Sequence, residues 1–425
     1  MIKAFDGIRV VDFSQVLAGP FAAGQLALLG ADVIKVEQPG VGDQMRTMMA
    51  NETQAALKLA PAFLGINTNK RAITVDLKNP EAKEIMHRLL KNADVVIQNF
   101  KAGVIDRLGY GYDAVAGIKP DIIYCSISGY GQQGPMAGKG AYDGAIQAAS
   151  GMMSVTGNKE SGPLRVGYMP VDISTGITAA YAIASALFRR SVSGEGQLLD
   201  VSMLDSAMTM LNPVISNYLV GGVVPERLGN ASPTYQGSAD TWATKDGFVQ
   251  MTVITDSMTT KMCRAFGRPD LIDDPRFATD QGRVDHCDAV YAEIGAIFAT
   301  EPTAVWLERL GEAGVQQFLF LDVAFLDGQT AKPVQDVFDR YFAGAAHDAV
   351  VTTDAVGPGI GIQHGVFHAC ANHHEQLARP VFHLAANGAG PGTDAALHAH
   401  VHLVAAVDII ANETGEVQVV LLFGF

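Results

Sequence analysis

Asp172 stands in the run Gly167-Tyr168-Met169-Pro170-Val171-Asp172-Ile173-Ser174-Thr175-Gly176, between a turn and the Ala-rich stretch Ile177 to Leu187. An aspartate at such a helix start has two uses. It can cap the first free N–H groups of the helix. It can also be a carboxylate nucleophile or base, because a helix N-terminus favours its ionised form. Spacing alone leaves both open. Two further runs carry charge in loops. Asn67-Thr68-Asn69-Lys70-Arg71, followed by Asp76-Leu77-Lys78, offers paired cations that could grip phosphates or merely face water. Asn99-Phe100-Lys101-Ala102-Gly103, with Arg107 beyond, is a polar loop after a buried strand, where α/β folds hold ligands. His364, His368, His373 and His374 lie near Cys370 in an HxxxH spacing that suits zinc. They lack the acid of an HExxH pattern, and no metal site is expected there.

These side chains need elements to position them. Ile8 to Phe13 is an apolar run rich in β-branched residues, broken by Ala18-Gly19-Pro20. Pro20 suits a first helical turn, Phe21 to Leu29 the helix and Gly30 its stop. Ala31 to Glu37 reads as the next strand, completing a right-handed βαβ unit. The same grammar predicts strands at 72–76, 93–98 and 121–127 and an amphipathic helix over 80–91, with residues 142–215 mostly helical. The turn after the first strand, Ser14-Gln15-Val16-Leu17-Ala18-Gly19-Pro20, holds one glycine. Without GxGxxG a pyrophosphate cannot approach closely, which argues against NAD or FAD although Glu37 stands where a ribose-binding acid would. A hairpin turning at Asp246-Gly247 is predicted for Trp242 to Met251.

The expected fold is therefore α/β: a Rossmann-like large domain with a parallel sheet at 1–200, a linker helix and turn at 201–225, and a smaller α+β domain at 226–315. Residues 316–425 form an atypical C-terminal segment, with three of the 30 Lys/Arg and nine of the 11 His. The 425 residues, 48% apolar, can fill several cores. Acidic residues outnumber basic ones 44 to 30, for a net charge of −14, which argues against nucleic acid as a partner. Residues 1–140 hold 15 Lys/Arg against 13 Asp/Glu, compatible with an anionic ligand in the first third. Met203 to Val224 is apolar but broken by Asp205, Asn212 and Pro213, so a buried helix and turn are predicted there, not a membrane span. Scattered cysteines and charges near the N-terminus suggest a reducing cytoplasm.

Taken together, the segments resemble the class III CoA-transferase family, which includes the α-methylacyl-CoA racemases. The shared elements include Gly7 to Phe13 with Ala18-Gly19-Pro20, Leu29 to Glu37 with Gly42-Asp43 and Arg46, and Asn69-Lys70-Arg71. They continue with Asn99-Phe100, Arg107-Leu108-Gly109, Ser128-Gly129-Tyr130-Gly131, Tyr142-Asp143 with Gln147-Ala148, Gly194 to Gln197 and Asp274 to Phe277. The order and spacing are specific; the single pieces are not. The resemblance implies that Asp172 is the covalent nucleophile and that CoA or acyl-CoA binds as a substrate along Gln15, Val16, Ala18, Val75, Lys78, Asn99, Phe100 and Arg107. It implies no tightly bound cofactor, a small carboxylic acid as the second substrate and an interlocked homodimer. Two alternatives accompany it, an acyl-CoA racemase or epimerase and an inactive CoA-binding protein. Family racemases use a histidine where Tyr142 stands, and a phenol is a poor base at neutral pH. Gln38 is neutral where relatives often carry a cation. After Val315 the family pattern stops, by divergence or by an altered reading frame.

Overall fold

Parallel strands in the middle of a sheet are covered by helices on both faces, so they read as unbroken apolar runs. That is the case for β1 (Arg9–Asp12), β2 (Asp32–Glu37), β3 (Arg71–Thr74), β4 (Val95–Gln98), β5 (Ile123–Ser128) and β6 (Gln197–Ser202) only at the centre: Val10, Val95, Val96, Ile97 and Ile123 are fully buried, whereas β3 is largely exposed. The chain is described by a computed structural model over residues 3–315, 317–319, 404–411 and 417–424. It divides into two units, Met1–Gly229 and Asn230–Phe425.

In the first unit the six strands are all parallel, in the order β3-β2-β1-β4-β5-β6. The sixth strand, not foreseen from the sequence, arrives after the long helix. One face of the sheet is covered by α1 (Ala18–Leu28) and by that helix, here α4 (Pro170–Ser193), with Ala22, Leu26, Ala179 and Ile183 in the core between. The other face is covered by α2 (Ala82–Lys91), whose Met86 and Leu90 are fully buried. α4 is long and apolar enough to cross a membrane by length and composition, yet it lies along α1 over the sheet. Gly176 permits that approach: a Cβ there would lie 2.8 Å from the Ala18 carbonyl oxygen and from Phe21. The packing thus brings the start of α4 to the β1–α1 turn.

The stretch expected to be one buried helix is two, α5 (Met203–Met210) and α6 (Asn212–Gly221), with Pro213 in the first turn of the second. α5 packs against α4 and the short helix α3 (Asp143–Ala149). α6 has no buried residue, and Tyr218, Leu219 and Val220 are exposed.

The second unit holds the hairpin β7 (Ala239–Ala243) and β8 (Phe248–Thr252), with Trp242 opposite Val249 and β9 (Gln317–Leu319) added antiparallel to β8. Its core is aromatic: Trp242, Phe266, Phe298 and Trp306 contact one another with centroids 5.3–5.6 Å apart. The fully buried Arg283 bonds to Phe277 O at 2.7 Å and to Asp256 at 3.0 Å, so it is structural. β10 (Val404–Ala411) and β11 (Val417–Gly424) pair antiparallel. The rest of 316–425, including the candidate histidines and Cys370, lies outside the described residues.

Candidate active site

Strand order reverses between β1 and β4, and a crevice opens beyond the carboxyl ends of strands on either side of such a point. Here it is a cavity of about 660 Å³. The β1–α1 turn supplies Gln15, Val16 and Ala18; the loop after β4 supplies Asn99, Phe100 and Lys101. The end of β5 and the chain leading to α3 supply Ser128, Lys139 and Tyr142, and the start of α4 supplies Asp172.

Asp172 does not cap α4. The cap position is Met169, Pro170 opens the helix, and Asp172 sits in the first turn with its side chain free of a capping bond. It is half-buried. Burial, and next the charge of Asp143, push its carboxyl up to about 7, opposite to the ionised form that a helix N-terminus alone would favour. Asp143 itself is buried and fully bonded. Its Oδ2 accepts the N–H of Val171 at 2.8 Å and of Asp172 at 3.0 Å, and its Oδ1 accepts Gln147 Nε2 at 2.5 Å. Gln147 Oε1 in turn accepts the N–H of Val166 at 2.9 Å. Two side chains on α3 thus fix the backbone that delivers Asp172.

The opposite wall is fixed from below. Val16 has φ +69°, a left-handed conformation that a β-branched residue adopts only under constraint. The constraint is visible on both sides. Gln15 N–H donates to Asn99 Oδ1 at 2.8 Å and Asn99 Nδ2 donates back to Gln15 O at 2.7 Å. Val16 N–H donates to Asp43 Oδ1 at 3.0 Å. Asp43 is 2.8 Å from the buried Lys35, whose Nζ also donates to Ser14 O at 2.7 Å. Lys70, expected in a loop open to phosphate or water, is instead buried: Nζ bonds Asp12 at 3.0 Å, Pro20 O at 2.7 Å and Asn67 at 2.8 Å. Burial lowers its ammonium to about 8. Arg71 is bound to Asp32 and Glu37 to Arg46, so neither is available to phosphate or ribose.

The cavity wall therefore gathers Asp172 with Gln15, Val16, Ala18, Asn99 and Phe100. Val75, Lys78 and Arg107 are not in that wall. Val75 is buried in the core beside β3, and Lys78 and Arg107 are exposed after β3 and β4. Lys101 stands in the loop expected to hold ligands, whereas Asp43, Asp143 and Gln147 are visible in the sequence only as motif residues. Their signal is weak because an acid near a turn or in a first helical turn has many ordinary explanations. Lys101 crosses Gly140, where a Cβ would lie 2.5 Å from its Cε. Among the described residues no group of His, Cys, Asp and Glu is gathered for a metal.

A family model described as CoA-transferase family III matches residues 5–331, past Val315 where the recognisable motifs end. A succinate–glutarate CoA-transferase of Agrobacterium fabrum is 40% identical over 306 residues, 71% of this chain and 75% of its own length. An acetyl-CoA:oxalate CoA-transferase of Acetobacter aceti is 37% identical over 321 residues, 75% and 81% of the two chains. A crystal structure of a CAIB/BAIF family protein from Brucella suis, 36% identical, superposes with a TM-score of 0.69 over 76% of this chain and 85% of that one.

Proposed function

The chain belongs to CoA-transferase family III, and from that premise we propose that Asp172 carries first the acyl group and then CoA. The observation that carries the reading is a half-buried carboxylate, held by its own backbone, in the wall of a cavity at the strand ends. One Asp172 oxygen attacks the thioester carbonyl of the donor and expels CoA thiolate, leaving a mixed anhydride. The thiolate attacks the aspartyl carbonyl of that anhydride, releasing the donor acid and forming an aspartyl-CoA thioester. The acceptor carboxylate attacks this thioester, giving a second anhydride and thiolate. Attack of the thiolate on the acceptor's carbonyl forms the new acyl-CoA and returns Asp172 as a carboxylate. Overall one acyl-CoA thioester is exchanged for another, the anhydrides being formed and consumed in turn, so no other reactant is consumed and no tightly bound cofactor is needed.

CoA runs along Gln15, Val16, Ala18, Asn99 and Phe100, with the cations Lys101 and Lys139 on the same walls. Its phosphate-bearing end continues toward the exposed Lys78 and Arg107. The named relatives act on succinate, glutarate and oxalate, and we extend this to a short dicarboxylic acid as the acceptor here. The exposed residues Ile177, Tyr181, Phe188 and Val192 recur along α4, which supports the expected homodimer. The free thiols of Cys125, Cys263 and Cys287 support a cytoplasmic setting.

The test is incubation with succinyl-CoA, trapping with hydroxylamine or borohydride, and peptide mass spectrometry. Label on Asp172, with CoA exchange into glutarate, is the expected result. Label elsewhere overturns the assignment. Tight CoA binding without turnover over a panel of acids favours an inactive binding protein, and α-proton exchange without CoA transfer favours a racemase.

A further inference from the structure

An acceptor with two carboxylates uses one as the nucleophile and leaves the other to be recognised. An arginine suits that second group, because its planar fork matches a carboxylate. In the first unit most arginines are already engaged: Arg9, Arg46, Arg71, Arg88, Arg189 and Arg190 with carboxylates, and Arg227 with backbone carbonyls. Arg107 and Arg165 have no such partner among the described residues.

Arg165 lies against the first turn of α3, the turn flanked by the cavity residues Tyr142 and Ala145. A Cβ built on Gly144 would lie 3.4 Å from Arg165 Cδ and 3.8 Å from Nη1, ordinary contact distances, so the exposed Arg165 side chain lies over this turn, beside the cavity and not in its wall. The residue after it, Val166, is tied to Gln147, and Gln147 is tied to Asp143, whose carboxylate holds the Asp172 backbone. The same two side chains of α3 therefore set the position of the nucleophile and the departure point of the arginine.

We infer that Arg165 is a specificity-determining residue that binds the distal carboxylate of the acceptor while the near carboxylate meets the Asp172 thioester. This deepens the dicarboxylate reading above and rests on it.

Arg165→Gln tests it with succinyl-CoA and glutarate. The KM for glutarate is expected to rise about tenfold, with kcat changed less than about threefold and the Kd of free CoA unchanged, as for loss of one charge-assisted contact at a half-open rim. Arg165→Lys, which keeps the charge and loses the fork, should recover part of the affinity. An unchanged glutarate KM, or a CoA Kd that rises in step with it, overturns the assignment. A wild-type enzyme that labels at Asp172 but turns over only monocarboxylic acids refutes the dicarboxylate reading and this residue's role with it. A wild type without the Asp172 adduct is a different failure, that of the nucleophile.

Discussion

The side chain of Asp143 grips the backbone of Asp172: its Oδ2 accepts the Asp172 N–H at 3.0 Å while its charge lifts the Asp172 carboxyl, after burial, to about 7. A nucleophile must be ionised. Activity should therefore fall as pH drops below about 7, and kcat/KM measured from pH 5 to 9 should show one acid limb there. Asp143→Asn removes the neighbouring charge while its amide oxygen can still accept the two N–H groups. The limb should move to lower pH. A limb that stays in place, or moves up, contradicts the coupling.

A carboxyl whose acidity is weakened on folding binds its proton more tightly in the native state than in the unfolded chain. Folding then loses stability as pH rises from the ordinary carboxylate range through about 7. Asp172→Asn escapes that penalty. At pH 8 it should be more stable than the wild type by about 1–3 kcal/mol, discounted because the site is only half-buried. Asp172→Ala or Asp172→Asn should also lose more than about three orders of magnitude in kcat while still binding CoA. Denaturant melts and single-turnover assays read the two effects separately. Stability that drops in Asp172→Asn would mean that the carboxylate serves the fold.

The sheet was legible because its strands are apolar runs closed by Gly, Pro and Asn, a signal local enough to read one segment at a time. β6 was missed because Gln197–Ser202 alternates with exposed Leu198 and Asp200 at the sheet edge, where only one face is covered. Lys70 illustrates the harder case. Its neighbours Asn69 and Arg71 are polar and look like a solvated loop, and only the tertiary fold brings Asp12, 58 residues away, to its ammonium. Asp172 could be named from a family pattern, but whether it caps its helix depended on Pro170 starting the helix two residues earlier, which spacing alone does not decide. α6 reads as core by composition, but in the single chain its apolar residues face outward.

Val16 stands in the cavity wall in a left-handed backbone conformation that strains a β-branched residue. Replacing it with glycine removes the clash of a β-branched side chain at φ +69°. Val16→Gly should raise unfolding stability by about 1 kcal/mol in urea or guanidinium melts. It should also lower kcat/KM for acyl-CoA, since the wall loses a side chain and the turn its rigidity. A Val16→Gly less stable than Val16→Ala, which loses the same packing on the Leu17 and Phe63 cluster but keeps a Cβ, would show that the conformation carries no strain.

Lys70 and Asp12 are 3.0 Å apart with side chains 2% and 0% exposed. Removing one partner of such a pair leaves a buried charge without compensation. Lys70→Met should cost about 3 kcal/mol, the lower end for this kind of change because Lys35 remains 4.0 Å from Asp12. Asp12→Asn in the same chain should restore part of the loss. The double variant measured beside the two single ones separates the ion pair from packing. Losses that simply add would mean that the pair contributes no coupling.

Arg107 and Lys78 test how far the proposed CoA site extends. Both are exposed beyond the cavity wall, Arg107 at the end of the short helix Val104–Arg107 after β4 and Lys78 on the loop after β3, where a charged end leaving the cavity would pass. Contacts of exposed cations with phosphate are modest and screened by salt. Arg107→Gln and Lys78→Gln should each raise the KM for succinyl-CoA about three- to tenfold at low ionic strength, with less effect in 0.5 M salt. Succinyl-pantetheine, which has the thioester but lacks the nucleotide, should be turned over equally by the variants and the wild type. On the proposed placement Asp172, Gln15 and Asn99 line the cavity that takes the thioester arm, so any loss common to both donors must arise inside the cavity. Equal loss with both donors would show that these residues act on the cavity itself, and no loss with either would send the nucleotide end of CoA elsewhere on the surface.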